Sequence, residues 1–247
     1  MAAAPGRVEP APRRVRGVLA DQVVFDTTSA LYVWETPYYP QYYLPLADVA
    51  QHYLIEVDPR DDPRPGITAT HDLRVAQVQR SRAARVHGVE AATGVVGHVR
   101  FQWEALDAWF EEDEQIYLHP RNPYVRVDAL RSHRRVRIEV DGVVLADTGS
   151  PVMVFETGLP TRYYIDRTDV RFEHLVRADT VSVCPYKGST SEYWSVVTPA
   201  GRYPDLAWSY RSTTDGLSAI AGMVAFYDEK VDVLLDGQPQ PRPVTHF

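Results

Sequence analysis

The apolar and polar positions of this chain alternate over short distances with a period of two. Arg135, Arg137 and Glu139 alternate with Val136, Ile138 and Val140, then Asp141-Gly142 precedes the apolar run Val143-Val144-Leu145-Ala146. Alternation of this kind lines two faces of a strand, and an Asp-Gly pair adopts the positive φ of a tight turn, so a β-hairpin is predicted. Residues Arg14 to Leu19 open in the same way and turn at Ala20-Asp21-Gln22 with weaker turn chemistry. Next come Ala30 to Trp34 and Pro151 to Phe155, each followed by a glutamate and a Pro-containing loop, then Tyr42-Tyr43-Leu44-Pro45 and Arg162-Tyr163-Tyr164-Ile165. Their β-branched and aromatic content reads as short strands, which makes the chain mainly β with at most a minor α+β part.

The same residues return at a fixed distance. Arg14 matches Arg135, Asp26 matches Asp147, Ser29 matches Ser150, Glu35 matches Glu156, Tyr42-Tyr43 matches Tyr163-Tyr164 and Asp48 matches Asp169, always 121 positions on. So many uncommon residues agreeing at one spacing indicate an internal duplication. The chain is therefore expected to hold two tandem domains of antiparallel strands, 13–118 and 125–247, joined by a stiff segment containing Pro120 and Pro123.

The repeat also bears on ambiguous segments. Residues 103–114 are rich in helix formers, but Gly97, Val99 and Phe101 match Gly222, Val224 and Phe226 at a spacing of 125. That spacing lays Leu106–Glu111 over Val231–Asp236, a β-branched run, so both are expected to be strands. The Arg/Ala-rich segment Leu73–Arg85 is expected to form a short helix, Asp58–Gly66 a surface loop, and Gln238–Pro243 an extended tail. The Ala/Pro-rich residues 1–12 are expected to be poorly ordered.

Composition narrows the function. With 45% hydrophobic and 24% charged residues among 247, the chain has the make-up of a soluble globular protein. Its 26 basic and 33 acidic residues give a net charge of −7, which repels phosphate backbones and argues against nucleic acid as a partner. No apolar run is long enough to span a membrane and the first ten residues hold no signal-peptide core, so the cytoplasm is the simplest address. A lone cysteine cannot form an internal disulfide, and the eight histidines show no close pairing, so no metal site is expected.

Scarce chemistry gathers between Val183 and Val196. Cys184 is the only cysteine and Lys187 one of two lysines, set around Pro185 and Gly188 with Tyr186, Tyr193 and Trp194 nearby. Cys184 is either a nucleophile favoured by the neighbouring cation or a small buried hydrophobe. Lys187 is either a desolvated amine that can hold an anion or a turn-surface lysine. Glu156 ends an apolar strand, where it serves either as acid and base or as a carboxylate held by Thr157 or Arg162; Glu35 stands at the matching place. Tyr163, Tyr164, Tyr186, Tyr193, Trp194, Trp208 and Tyr210 form either an aromatic core or a pocket wall, and alternation turns one member of each adjacent pair inward. The catalytic candidates are thus Glu156 and Tyr164 as proton carriers, with Cys184 or Lys187 as nucleophile or oxyanion holder. Arg162 and the remaining aromatics are the binding candidates. The matching stretch of the first repeat has no thiol or amine, so this chemistry is expected once per chain.

The second repeat, with Phe155-Glu156-Thr157-Gly158, Cys184-Pro185-Tyr186-Lys187-Gly188, Tyr193-Trp194-Ser195-Val196 and Ala207-Trp208-Ser209-Tyr210, resembles the family called domain of unknown function 427, which also carries a nucleotidyltransferase-type label. The resemblance spans 135–237, and returns in the first repeat at 13–49 and 97–111. It implies a compact β domain similar to the β-tent of methionine sulfoxide reductase B and of the formaldehyde-activating glutathione enzymes. The nucleotidyltransferase label finds no phosphate loop or spaced Asp pair here, and one cysteine cannot build the paired Cys-x-x-Cys zinc site common in β-tents. The expected function is a cofactor-free enzyme acting on a small organic metabolite by acid/base or covalent chemistry in the second repeat. The alternative is a non-catalytic small-molecule-binding module, and a homodimer is left open.

Overall fold

A computed structural model describes residues 4–57, 66–88 and 94–245. The chain is an antiparallel β protein, and among the described residues its helical pieces are 3-10 turns alone. It divides into two units, 2–122 and 123–247.

Each unit follows one plan. In the first, a seven-stranded sheet runs in the order Val8–Pro10, Leu31–Val33, Gln41–Pro45, His98–Phe101, Val78–His87, Ile67–Val75, Leu54–Glu56. In the second the order is Val127–Arg131, Val152–Glu156, Arg162–Ile165, Val224–Phe226, Gly201–Ser209, Glu192–Thr198, Leu175–Ala178. Each unit adds a four-stranded sheet, Glu114–Ile116, Ala108–Glu111, Val15–Leu19, Gln22–Thr27 in the first and Gln238–Pro239, Asp232–Leu235, Val136–Val140, Val143–Thr148 in the second. A two-stranded hairpin, Val183–Cys184 with Gly188–Ser189, completes the second unit.

Local chemistry explains the shared register. Asp141 and Gly142 take φ of 50° and 75°, while Ala20 and Asp21 reach 48° and 59° without a glycine. The paired strand on either side imposes the turn on residues that favour it less. A bulge interrupts both hairpins at the same place, after Gly17 and after Ile138. The repeated Arg and Asp face each other across the strands, Nε to Oδ1 at 2.7 Å for Arg14–Asp26 and 2.8 Å for Arg135–Asp147. Exposed pairs of this kind add little stability, so their repetition reflects register more than strength.

The core lies between the two sheets of each unit. Phe25, Leu44, Leu73, Phe101 and Trp109 fill it in the first unit, and Ile138, Leu145, Ile165, Ala207 and Phe226 in the second. One exchange between the copies shows how tightly volume is conserved. A Cβ on Gly17 would lie 2.3 Å from the Phe25 ring. The second unit puts Ile138 where the first has Gly17 and Ala146 where it has Phe25, and each pair is directly opposed across the hairpin.

Four expectations change. Residues Val8–Pro10 form an edge strand paired with Leu31–Val33, because the sheet edge offers their backbone hydrogen-bond partners. The segment expected to be a helix at Leu73–Arg85 is instead the hairpin Ile67–Val75 and Val78–His87, turning at Ala76 with φ 51°. Its buried positions, Leu73 and Val75 on one strand and Ala84 and Val86 on the other, fall at a period of two that outweighs the helix propensity of Arg and Ala. Strand pairing sets the last strand at a spacing of 124 from its copy, so Glu111 corresponds to Leu235, and a 3-10 turn at Trp103–Ala105 precedes that strand. The family resemblance read only at the two ends of the first unit extends to its middle, since the Ile67–His87 hairpin occupies the place of Glu192–Ser209. The loop expected at Asp58–Gly66 lies, except for Gly66, outside the described residues.

The Gly17→Ala substitution is expected to destabilise the first unit by about 1–3 kcal/mol through overpacking against Phe25. In a double-mutant cycle followed by chemical denaturation, Gly17→Ile combined with Phe25→Ala should cost less than the two single changes added together; simple additivity would contradict the volume exchange.

Candidate functional site

Glu156 closes the strand Val152–Glu156, and Lys187 comes from the hairpin that follows Cys184. That hairpin is tied at its base, where Thr190 N donates to Ser182 O at 2.9 Å and Ser182 N to Thr190 Oγ1 at 2.8 Å. Its tip is tied by Thr214 Oγ1 donating to Tyr186 O at 2.7 Å. Gly188 takes φ 104° with Ser212 O close behind, a conformation that a side chain would strain. The outcome is a fixed loop that aims the Lys187 ammonium inward, 9% exposed. It donates to Glu156 Oε2 and, at 3.9 Å, to Cys184 Sγ.

Around this cluster stands an aromatic wall on the outer face of the seven-stranded sheet, made by Tyr164, Tyr193, Trp208 and Tyr210 with Leu217 and Ile220. Tyr164 is fully buried, and its hydroxyl makes no hydrogen bond of normal geometry among the described residues, although the Trp208 indole is close enough to act on it as a donor. Burial, together with the nearby Cys184 and Glu156, pushes its ionisation upward, so the phenol is held as a neutral donor. Burial does the same to Tyr210, with Tyr164 and Cys184 adding to it. Tyr193 shares its hydroxyl with Ser182 Oγ at 2.8 Å and Tyr227 OH at 3.1 Å.

Alternation separates the remaining candidates. Tyr163 and Trp194 point to the opposite face, into the core between the sheets, and do not meet the Lys187 cluster. Tyr186 lies in the hairpin tip. Arg162 stays on the outer side, 5.9 Å from the Trp208 ring and 5.8 Å from the Tyr227 ring. Its charge is engaged by Glu229 and by Asp228, the latter 3.5 Å from Nη1. In the first unit, Glu35 accepts from Arg100 Nε at 3.0 Å and from Tyr43 OH at 3.1 Å, so an arginine from a strand takes the part that Lys187 plays for Glu156.

Sequence reasoning missed Tyr227, Asp228 and Glu229. Asp228 is buried, and desolvation raises its ionisation to about 7 in spite of Arg162. The available signal was position: the three residues follow directly on Val224–Phe226, beside Arg162–Ile165 in the sheet. Among the described residues no group of three His, Cys, Asp or Glu could hold a metal ion, and no helix is long and apolar enough to cross a membrane.

Fold and site together define a duplicated antiparallel β protein in which the later copy brings a buried ammonium together with a half-buried carboxylate and thiol. The family model described as domain of unknown function (DUF427) matches residues 7–112 and again 128–237, and the chain belongs to that family. Comparison with curated proteins gives no match.

Asp228 makes stability depend on pH. Its folded ionisation near 7 lies above the ordinary carboxylate value, so the folded state binds more protons and stability falls as pH rises from about 4 to 7. Asp228→Asn should flatten that fall by an amount on the order of a few kcal/mol and be the more stable protein at pH 8. Parallel unfolding curves for both proteins from pH 4 to 8 would contradict the assignment.

Proposed function

We propose that the second unit is a cofactor-free enzyme acting on a small organic metabolite by acid/base or covalent chemistry. The observation that carries this reading is the meeting of the buried Lys187 with both Glu156 and Cys184. Three groups that can attack, donate and accept protons lie together beside an aromatic wall, partly shielded from water, where charges interact more strongly than in bulk solvent. Because Lys187 already carries a carboxylate partner, it serves as the ammonium that steadies negative charge, and Cys184, the more exposed of the two, is the atom that meets substrate. Tyr164, a buried neutral phenol beside the Trp208 indole, is a further proton carrier. Trp208 and Tyr210 supply the apolar wall.

A second reading, a non-catalytic module that encloses a small molecule, draws on the mutual neutralisation of Lys187 and Glu156. The two differ in Glu156→Gln: a metabolite that raises the melting temperature of both proteins and is turned over by neither favours the module.

The lone thiol allows a direct test. Iodoacetamide should alkylate Cys184 in the folded protein, read as one added mass. Lys187→Met should slow the reaction about tenfold, since the cation near the sulfur is gone. An unchanged rate in Lys187→Met, or no alkylation of the folded wild type, would remove Cys184 from the mechanism.

A further inference from the structure

A hollow of about 460 Å³ opens on the other face of the same sheet, between Leu130, Met153, Phe155 and Tyr163 on one side and Arg134 and Leu235 on the other. It is separate from the Lys187 cluster, since Met153 and Tyr163 belong to the inter-sheet core and alternate with the residues of the outer wall. Its lining includes two guanidinium groups, Arg131 and Arg134, and no carboxylate. Its apolar rim is open, with Phe155 41% and Leu130 55% exposed.

The first unit shows what fills the same space there. Where the second has Met153, Phe155, Tyr163, Leu235 and Gln240, the first has Tyr32, Trp34, Tyr42, Glu111 and Ile116. Tyr32 and Tyr42 stack at 5.5 Å, the Trp34 ring lies 6.0 Å from Tyr32, and Trp34 is 0% exposed. Glu111, buried among them, accepts from Tyr42 OH at 2.6 Å and pairs with Arg13. Arg13 and Tyr42 both have counterparts in the second unit, Arg134 and Tyr163; the indole and the carboxylate do not. Arg134 donates its Nε to Asp236 at 2.7 Å, and among the described residues its terminal amino groups make no hydrogen bond. Tyr163 and Arg131 complete the polar part of the lining; the Tyr163 phenol lies within the field of the Arg134 guanidinium and also of the Asp228 carboxylate.

We infer that this hollow is a binding site for a small aromatic carboxylate, whose ring takes the place of Trp34 and whose carboxylate takes the place of Glu111 against Arg134 and Tyr163. A guanidinium with free amino groups beside a phenol suits a carboxylate, since charge-assisted hydrogen bonds are the strong ones. The hollow is an open groove, and its apolar rim covers one face of an aromatic ring. This site is independent of the reading of Cys184 and Lys187.

Indole-3-acetate, phenylacetate and benzoate are the probes, titrated calorimetrically into the full chain. At least one should bind saturably at about millimolar concentration or below, and indole-3-acetamide, which lacks the charge, about tenfold more weakly than indole-3-acetate. Arg134→Gln, at a half-exposed position, should weaken binding about tenfold. Leu235→Glu should abolish it by restoring the internal carboxylate; if that protein does not fold, Met153→Tyr, which restores the Tyr32 ring, serves in its place. Glu156→Gln should bind as the wild type does, which separates this site from the catalytic reading. Absence of saturable binding by all three acids, binding unchanged in Arg134→Gln, or binding lost in Glu156→Gln would each overturn the inference.

Discussion

Each unit rests on one constraint: its seven-stranded sheet must bury its inner face against a four-stranded partner while its outer face follows from the same alternation. Phe101 and Phe226 hold the corresponding place on the inner face, Phe101 5.3 Å from Phe25, and Phe226 among Ile138, Ala207 and Val233. Once that face is fixed, a strand cannot slip by one residue without exposing its apolar set. The inward register of Tyr163, Trp194 and Ala207 therefore dictates the outward register of Tyr164, Tyr193 and Trp208. The aromatic wall around Lys187 is in this sense a by-product of the core, and it is as rigid as the core that sets it.

Much of this was legible in the sequence because period-two alternation and a repeated spacing report sheet geometry directly. The rule that one of each adjacent aromatic pair turns inward separates Tyr163 from Tyr164 and Tyr193 from Trp194, although it does not say which is which. The Leu73–Arg85 segment was misread because Arg and Ala favour helix in isolation, whereas the neighbouring strands bind its backbone and overrule the preference. The one-residue change of spacing at the last strand was invisible without pairing partners. It matters, because it gives Glu111 in the first unit the buried place that Leu235 holds in the second. The cluster of Glu156, Cys184 and Lys187 was legible as scarce chemistry, but Asp228 was not, since its properties come from burial and not from composition.

The two copies solve one electrostatic problem with different parts. A glutamate ends the apolar strand in both and takes a cation partner; for Glu156, whose side chain is only 11% exposed against 38% for Glu35, the pairing also offsets the cost of a carboxylate removed from water. The first unit supplies Arg100 from within the sheet. The second has Ala225 at that strand position and brings Lys187 in from a separate hairpin, together with Cys184. Moving the cation from a strand to a loop keeps the strand order of the sheet and places a thiol beside the pair.

The inner face diverges by the opposite route. Where the first unit closes the gap between its sheets with Tyr32, Trp34 and Tyr42 around Glu111, the second replaces three of these with residues that are smaller or lack the charge, and keeps Arg134 and Tyr163. Substitution toward a smaller residue in a sealed core leaves a void and weakens packing. At the open end of a sandwich the same change admits water instead, so the loss is less, and Arg134, the counterpart of the Arg13 that pairs with Glu111, turns its Nε to Asp236 while staying half-exposed. A core that loses its plug at its rim and retains the plug's polar partners has the shape and the charge of a site, which is why the difference between the copies says more about this hollow than either copy does alone.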